Sequence, residues 1–264
     1  MITIRKLKTS CGKLCEDLSC LNHLDIYSSF SIFFPRQLSI RRKANEFEDK
    51  LKGQYFQPQI LPVPDDLDPE VPRIIFGSEH GFSQIIISQI SFALNVKCSP
   101  DWQLDINLGR KYLIGKAPLL FNLLSISGAS NAFFCGLSTQ VHISSSKSEE
   151  DVISHLVHKF LKDEYVQQFH DLEIKRTHGL EQRFFSNITI SNFRVFEVEA
   201  GASGILGLSR DKTVDKGVSV LGDFNDRYSF NENNTYRTQK NHAEVIIIKG
   251  IEQISNSIRS VQEI

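Results

Sequence analysis

The strand-like runs of this chain arrive in clusters joined by turns, and that limits its fold more than any other feature. The run "RIIFGSEHGFSQIIISQISFALNVKC" is rich in Ile, Phe and Val and is interrupted by Gly77 and by His80–Gly81. Such breaks turn strands back on each other. The run "QRFFSNITISNFRVFEVEAG", residues 182–201, reads as a second hairpin turning at Ser191–Asn192, and "GILGLSR" and "GVSVLGDFN" read as two further strands. Strands joined by tight turns build antiparallel sheet, because parallel neighbours need long crossovers. The segments "HGFSQIIISQISFALNV" and "HGLEQRFFSNITISNFRVFEV" each start with His-Gly and run into a hairpin, which suggests an internal repeat.

Helical signals separate the strand clusters. "LDIYSSFSIFF" predicts an opening strand closed by Pro35, followed by an amphipathic helix that ends near Gly53 and turns Leu38, Phe47 and Leu51 to a core. "PQILPVPDDLDPEVP" reads as an acidic, Pro-stiffened connection. Residues 101–124 hold the only Trp, two Gly and Pro118, and read as mixed helix and loop. "SKSEEDVISHLVHKFLKD" carries a cap at Ser146 or Ser148, acidic residues in its first turn and Val152, Leu156 and Phe160 on one face. A last helix from about His242 repeats Ile247, Ile251, Ile254, Ile258 and Val261 at helical spacing. The expected class is therefore α+β, with mainly antiparallel sheet, interposed helices and a C-terminal helix. It divides into an extension (1–23), a first α+β half (24–128) and a second, related half (129–264).

Composition narrows the functional classes. Thirty Lys and Arg stand against 31 Asp and Glu, so the basic excess of a dedicated nucleic-acid binder is absent. No apolar run is long enough to span a membrane, and no signal peptide is recognisable. Five cysteines, three of them between Cys11 and Cys20, are not a secreted disulfide framework, so a cytoplasmic location is expected.

Several residue groups invite a chemical reading. In "FHDLEIKRTHG" an extended strand places Asp171, Glu173 and Lys175 on one face. Two carboxylates and a Lys suit a Mg²⁺-dependent nuclease; the alternative, favoured here, is a solvated edge with its charges in water. Cys11, Cys15, Cys20 and His23 offer four soft ligands, but they are bunched where structural zinc sites use two separated pairs, so idle thiols are expected. His155, His158, His170 and His178 cluster without a metal-binding motif. Gly201, Gly204 and Gly207 precede a strand pattern, whereas a phosphate loop opens a helix. No cofactor and no catalytic residue is assigned.

The segments "SIFFPRQLSIRRKANEFEDKL", "FGSEHGFSQIIISQISFALNV", "GLSTQVHISSSKSEEDVISHL" and "GVSVLGDFN" follow one another as in a sporadically distributed prokaryotic protein family of about 250 residues, which the chain resembles outside residues 1–23. That family has no established activity, so the resemblance carries no site residue. It implies a setting among mobile-element or antiviral defence genes. Together these readings lead to a non-catalytic accessory protein acting through a protein partner. The nuclease is the competing class, and an RNA-binding module stacking bases on strands such as "NFRVFEV" is a third.

Overall fold

A computed structural model describes residues 24–98, 102, 105–161, 169–180, 183–197, 200–201, 204–205 and 213–262. The Cys11, Cys15, Cys20 and His23 group lies outside them. The described residues form one nine-stranded antiparallel sheet in the order β2-β3-β4-β5-β1-β6-β11-β8-β7. Its strands are β1 (Leu24–Phe33), β2 (Tyr55–Ile60), β3 (Ile74–Ser78), β4 (Ser83–Ile87), β5 (Ser91–Lys97), β6 (Phe134–Ser144), β7 (Glu173–Leu180), β8 (Phe184–Phe196) and β11 (Thr213–Asn225). The two-residue strands β9 (Ala200–Gly201) and β10 (Gly204–Ile205) pair separately. Five α-helices are described: α1 (Ala44–Leu51), α2 (Ile106–Ser127), α3 (Glu149–Leu156), α4 (Arg227–Glu232) and α5 (Lys240–Gln262). Residues 24–128 supply β1 to β5 with α1 and α2, residues 129–264 supply the rest, and the seam is the β1–β6 pairing, from Leu24 opposite Ile143 to Phe33 opposite Phe134.

One sheet face holds the core. Alternate residues of the central strands, Ile26, Phe30 and Ile32 on β1 and Leu137, Val141 and Ile143 on β6, are buried beneath α2 and α5. The terminal helix docks closely because two glycines clear its path. A Cβ on Gly222 of β11 would lie 2.5 Å from Ile254, and one on Gly250 of α5 would lie 2.7 Å from the Phe224 ring. Its Ile247, Ile251, Ile254, Ile258 and Val261 are all buried, as their spacing predicts.

Local chemistry moved several boundaries from their predicted places. Residues 106–127 form one long helix through Gly109, Gly115 and Pro118. Its ends carry strong signals: Asp105 accepts from the Asn107 N–H, and Gly128 closes the helix at φ 91°. Packing of Leu113, Ala117, Leu120 and Leu123 then overrides the weak interior. The Ser191–Asn192 hairpin does not exist. Residues 184–196 are one strand, and its hairpin partner is the preceding β7. In the first helix region Leu38 is exposed, and Ile40 joins Phe47 and Leu51 in the core instead. His80–Gly81 forms a turn while His178–Gly179 lies within β7, so the two His-Gly pairs occupy different structural places. Ser148, not Ser146, caps α3, in a reciprocal box with Asp151.

Candidate functional site

The second face of the sheet carries no long helix among the described residues. The register places Gln84, Asn95, Ser29, Ser138, Asp223, Asn187 and Thr177 in one row across seven strands. The row is partly cross-linked: Ser29 donates to Asn95 at 2.7 Å, and Thr177 donates to Asn187 at 2.8 Å. In neighbouring rows His142 stacks on Phe193 with ring centroids 4.6 Å apart, and Tyr27, Leu221 and Val195 stand exposed. The short helix α4 covers only one end, where Phe230 packs on Phe134 and Tyr228 stacks on Phe185. Small and uncharged polar side chains dominate what is left, with Asp25, Glu173, Asp215 and Asp223 against Lys97 and Lys175 at its charged positions.

A groove runs along the other face between β7 and α5. It is lined by Arg176, His178, Leu180 and Ile188 from the sheet and by Gln253, Asn256, Ser257 and Ser260 from the helix, with a volume of about 490 Å³. A smaller adjoining pocket adds Phe184, Lys249 and Glu252. The groove exists because β7 lies at the sheet margin beyond the cover of α5, and most of its residues are exposed. The Arg176 guanidinium lies 5.7 Å from the Phe160 ring centre, and Ser186 donates to Gln253 at the groove floor.

The predicted Asp171, Glu173 and Lys175 face is not assembled. Strand β7 begins at Glu173, so Asp171 lies in the irregular stretch just before it. Its carboxylate accepts from the Asn192 amide at 3.1 Å and pairs with Arg194, which also holds Glu149 of α3. The Asn192 amide and then Arg194 hold the Asp171 carboxyl below the usual carboxylate range. Glu173 and Lys175 point to the uncovered face, opposite Ser191 and Thr189. Among the described residues, no three His, Cys, Asp or Glu side chains are placed to hold a metal ion. His155 and His158 lie on and just after α3, and the Nε2 of His155 is buried without a partner. Burial, with help from Lys159, Lys147 and His158, holds His155 below its ordinary pKa. Gly201 and Gly204 pair across the β9–β10 ladder and open no helix; Gly207 lies outside the described residues.

Sequence reasoning missed a buried polar cluster at the start of β6. Asp226 is fully buried and accepts from the Cys135 N–H at 2.7 Å and the Tyr236 hydroxyl at 2.7 Å. Tyr236 also meets His242 Nδ1 at 3.0 Å, and Thr238 meets the Cys135 thiol at 3.2 Å. Burial and then Asp226 push the Cys135 thiol well above its usual range, and burial holds His242 below its own. A thiol raised in this way is a poor nucleophile. The cluster ties the segment from Asp226 to Thr238 to the start of β6. Its members are scattered over 108 positions, from Cys135 to His242, so no spacing signal could reveal it.

No protein-family model matches the chain. No curated protein matches it either. No described helix is long and apolar enough to cross a membrane.

Proposed function

We propose that this chain is a non-catalytic accessory protein of the cytoplasm that works by binding a protein partner on the uncovered face of its sheet. The observation carrying this reading is the extent of that face: seven strands place one registered polar row on it, and no long helix among the described residues lies over it. Its strands lean acidic, with Asp25, Glu173, Asp215 and Asp223 against Lys97 and Lys175. A face without basic excess suits a protein surface better than a phosphate backbone, which calls for one. Tyr27, Leu221 and Val195 supply accessible apolar area within a polar surround. The resemblance to a sporadically distributed prokaryotic family supports a place among mobile-element or defence-associated genes. Geometry lends the nuclease reading little, because Asp171 is engaged with Arg194 and Asn192. The RNA-stacking reading is weakened because His142 already covers Phe193.

The test is co-purification with chemical cross-linking from the native host. A Ser138→Arg, Leu221→Arg double variant places two cations in mid-face, and Asp49→Arg on α1 serves as control. Loss of a cross-linked partner from the face variant alone, with melting temperature unchanged, is the expected result. Equal recovery of the same proteins by both variants overturns the proposal.

A further inference from the structure

The two margins of the sheet are built differently. Strand β2 ends one side and carries Pro58, a positive φ of 41° at Gln57 and a register break between Phe56 and Gln59. Proline and bulges are the usual means of blocking strand addition at an edge. Strand β7 ends the other side without proline or bulge, and its edge charges, Glu173, Lys175 and Arg176, restrict which strand can be added while leaving its backbone open. It holds eight residues in unbroken register with β8, from Glu173 opposite Ser191 to Leu180 opposite Phe184. Among the described residues no strand pairs with its outer edge. Its alternate side chains also differ by face: Arg176 and His178 line the groove beside α5, whereas Glu173, Lys175 and Thr177 lie on the uncovered face.

We infer that β7 receives an extended segment of the partner protein by antiparallel or parallel strand addition, with acidic side chains at two alternate positions reaching Arg176 and His178. The inference rests on the reading of this chain as a protein-binding module. A strand edge offers both N–H donors and C=O acceptors, and a peptide backbone uses both. A phosphate backbone presents acceptors only and leaves the edge carbonyls unmatched. Residues of an added strand opposite Arg176 and His178 point into the groove, because side chains of paired residues share a face. They are therefore two apart in the partner, as Asp or Glu, any residue, then Asp or Glu. Gln253, Asn256, Ser257 and Ser260 across the groove supply further hydrogen bonds to carboxylates. The single residue between the acidic positions meets Thr177 on the uncovered face, where no charge selects it.

The same charges oppose a second copy of this chain as the occupant. An antiparallel two-fold pairing that keeps both helix-bearing faces on one side must place even-numbered residues opposite even-numbered residues. Of the two longest such registers, one sets Arg176 against Arg176 and the other sets Arg176 against His178. Two arginines directly opposite each other destabilise a ladder, and an arginine opposite a histidine gains no complementary partner.

The probe is a fluorescent eight-residue peptide of alternating Thr and Val in which two alternate central residues are Glu, titrated against the full chain by anisotropy. A Kd on the order of 10–100 µM is expected. Three comparisons are decisive. Replacing the two Glu by Lys, or N-methylating alternate peptide nitrogens so that one backbone edge cannot donate, should each remove binding. Arg176→Glu with His178→Glu should weaken the acidic peptide by about ten-fold or more and favour the Lys peptide. Both residues are exposed on an edge strand, and an unchanged melting temperature establishes that the variant is folded. Absence of binding to the wild type, equal binding of the N-methylated peptide, tighter binding of a twelve-residue oligothymidylate, or sedimentation of the free chain as a dimer that the Arg176→Glu, His178→Glu change disrupts would each overturn the inference. Loss of the native partner on the Leu221→Arg face variant but not on the β7 variant would overturn it while leaving the proposed function intact. Retention of the partner by both would remove the proposed function itself.

Discussion

Two helix glycines, one exposed and one buried, should respond with opposite signs to the same substitution. Gly115 lies in α2 with nothing within 4 Å of the position its Cβ would take. Alanine there gains the intrinsic helix preference over glycine, about 0.8–1 kcal/mol, and meets no steric cost. Gly250 lies in α5, and a Cβ there would stand 2.7 Å from Phe224 Cδ2 and 3.0 Å from Leu137 Cδ2. Neither neighbour has room to yield, since Phe224 is 2% and Leu137 0% exposed. Overpacking a core of this kind costs about 1–3 kcal/mol, which exceeds the propensity gain. Gly250→Ala should therefore be neutral to about 2 kcal/mol destabilising, and the two variants should differ by about 1–3 kcal/mol.

Urea unfolding followed by circular dichroism measures this directly. With a slope of about 3 kcal/mol/M, the two midpoints should separate by about 0.3–1 M. A double variant, Gly250→Ala with Phe224→Leu, should show favourable coupling, because the smaller side chain relieves the clash. If Gly250→Ala raised the midpoint as far as Gly115→Ala does, the close seating of α5 on β11 would be wrong. The assignment of the terminal helix as core would then lose its best support.

Other outcomes follow from the same coordinates. Ile251→Ala should cost about 2–5 kcal/mol by calorimetry or urea titration, because Ile251 is only 1% exposed in the middle of α5. His155 and His242 have folded pKa values below their unfolded ones, so the unfolded state binds protons first as pH falls. Their contribution is complete above about pH 6.5 and is lost on acidification toward the folded values, so the melting temperature should fall between pH 7.5 and 5.5. That slope should flatten in a His155→Gln, His242→Gln variant. Wild type, Glu173→Ala and Lys175→Ala should all fail to cleave nucleic acid with Mg²⁺ or Mn²⁺; cleavage lost in both variants would restore the nuclease reading. The Cys135 thiol should resist a disulfide reagent until the chain unfolds, since burial holds it protonated.

Elements with a repeating apolar face were legible in the sequence. The Ile247 to Val261 spacing marks α5, and the Ser148 cap with acidic residues behind it marks α3, because both signals are local. Elements held by distant packing were not. Helix α2 reads as broken at Gly115 and Pro118, and only burial against the sheet and α5 shows why it continues. The polar pair Ser191–Asn192 reads as a turn for a related reason. In a sheet with one uncovered face, a strand can carry polar residues on that face without ending. Ser191 lies on the open face, while Asn192, on the other, is used to accept from the Leu172 N–H at 2.7 Å.

The same distinction explains the fate of the acidic site. Alternation places Asp171, Glu173 and Lys175 together only if the strand already includes Asp171. The strand begins two residues later because Asn192 and Arg194 capture the backbone and side chains just ahead of it: Leu172 N–H and the Asp171 carboxylate bond to Asn192, and His170 O accepts from Arg194. These partners lie about 20 residues downstream, beyond the reach of any periodicity. Arg194 in turn is fixed by Glu149 at the start of α3, at 2.7 Å. One arginine thus joins the α3 terminus, the entry to β7 and the centre of the second half's sheet. Removing it should release the β7 entry and loosen the strand that carries Arg176 and His178. Arg194→Ala should accordingly weaken the acidic probe peptide even though Arg194 never touches it, and amide exchange should rise over residues 171–178 while staying unchanged in β1 and β5. Exchange that remained slow in β7 would show that pairing with β8 alone orders the strand, and the Arg194 contacts would then be surface decoration worth under about 1 kcal/mol.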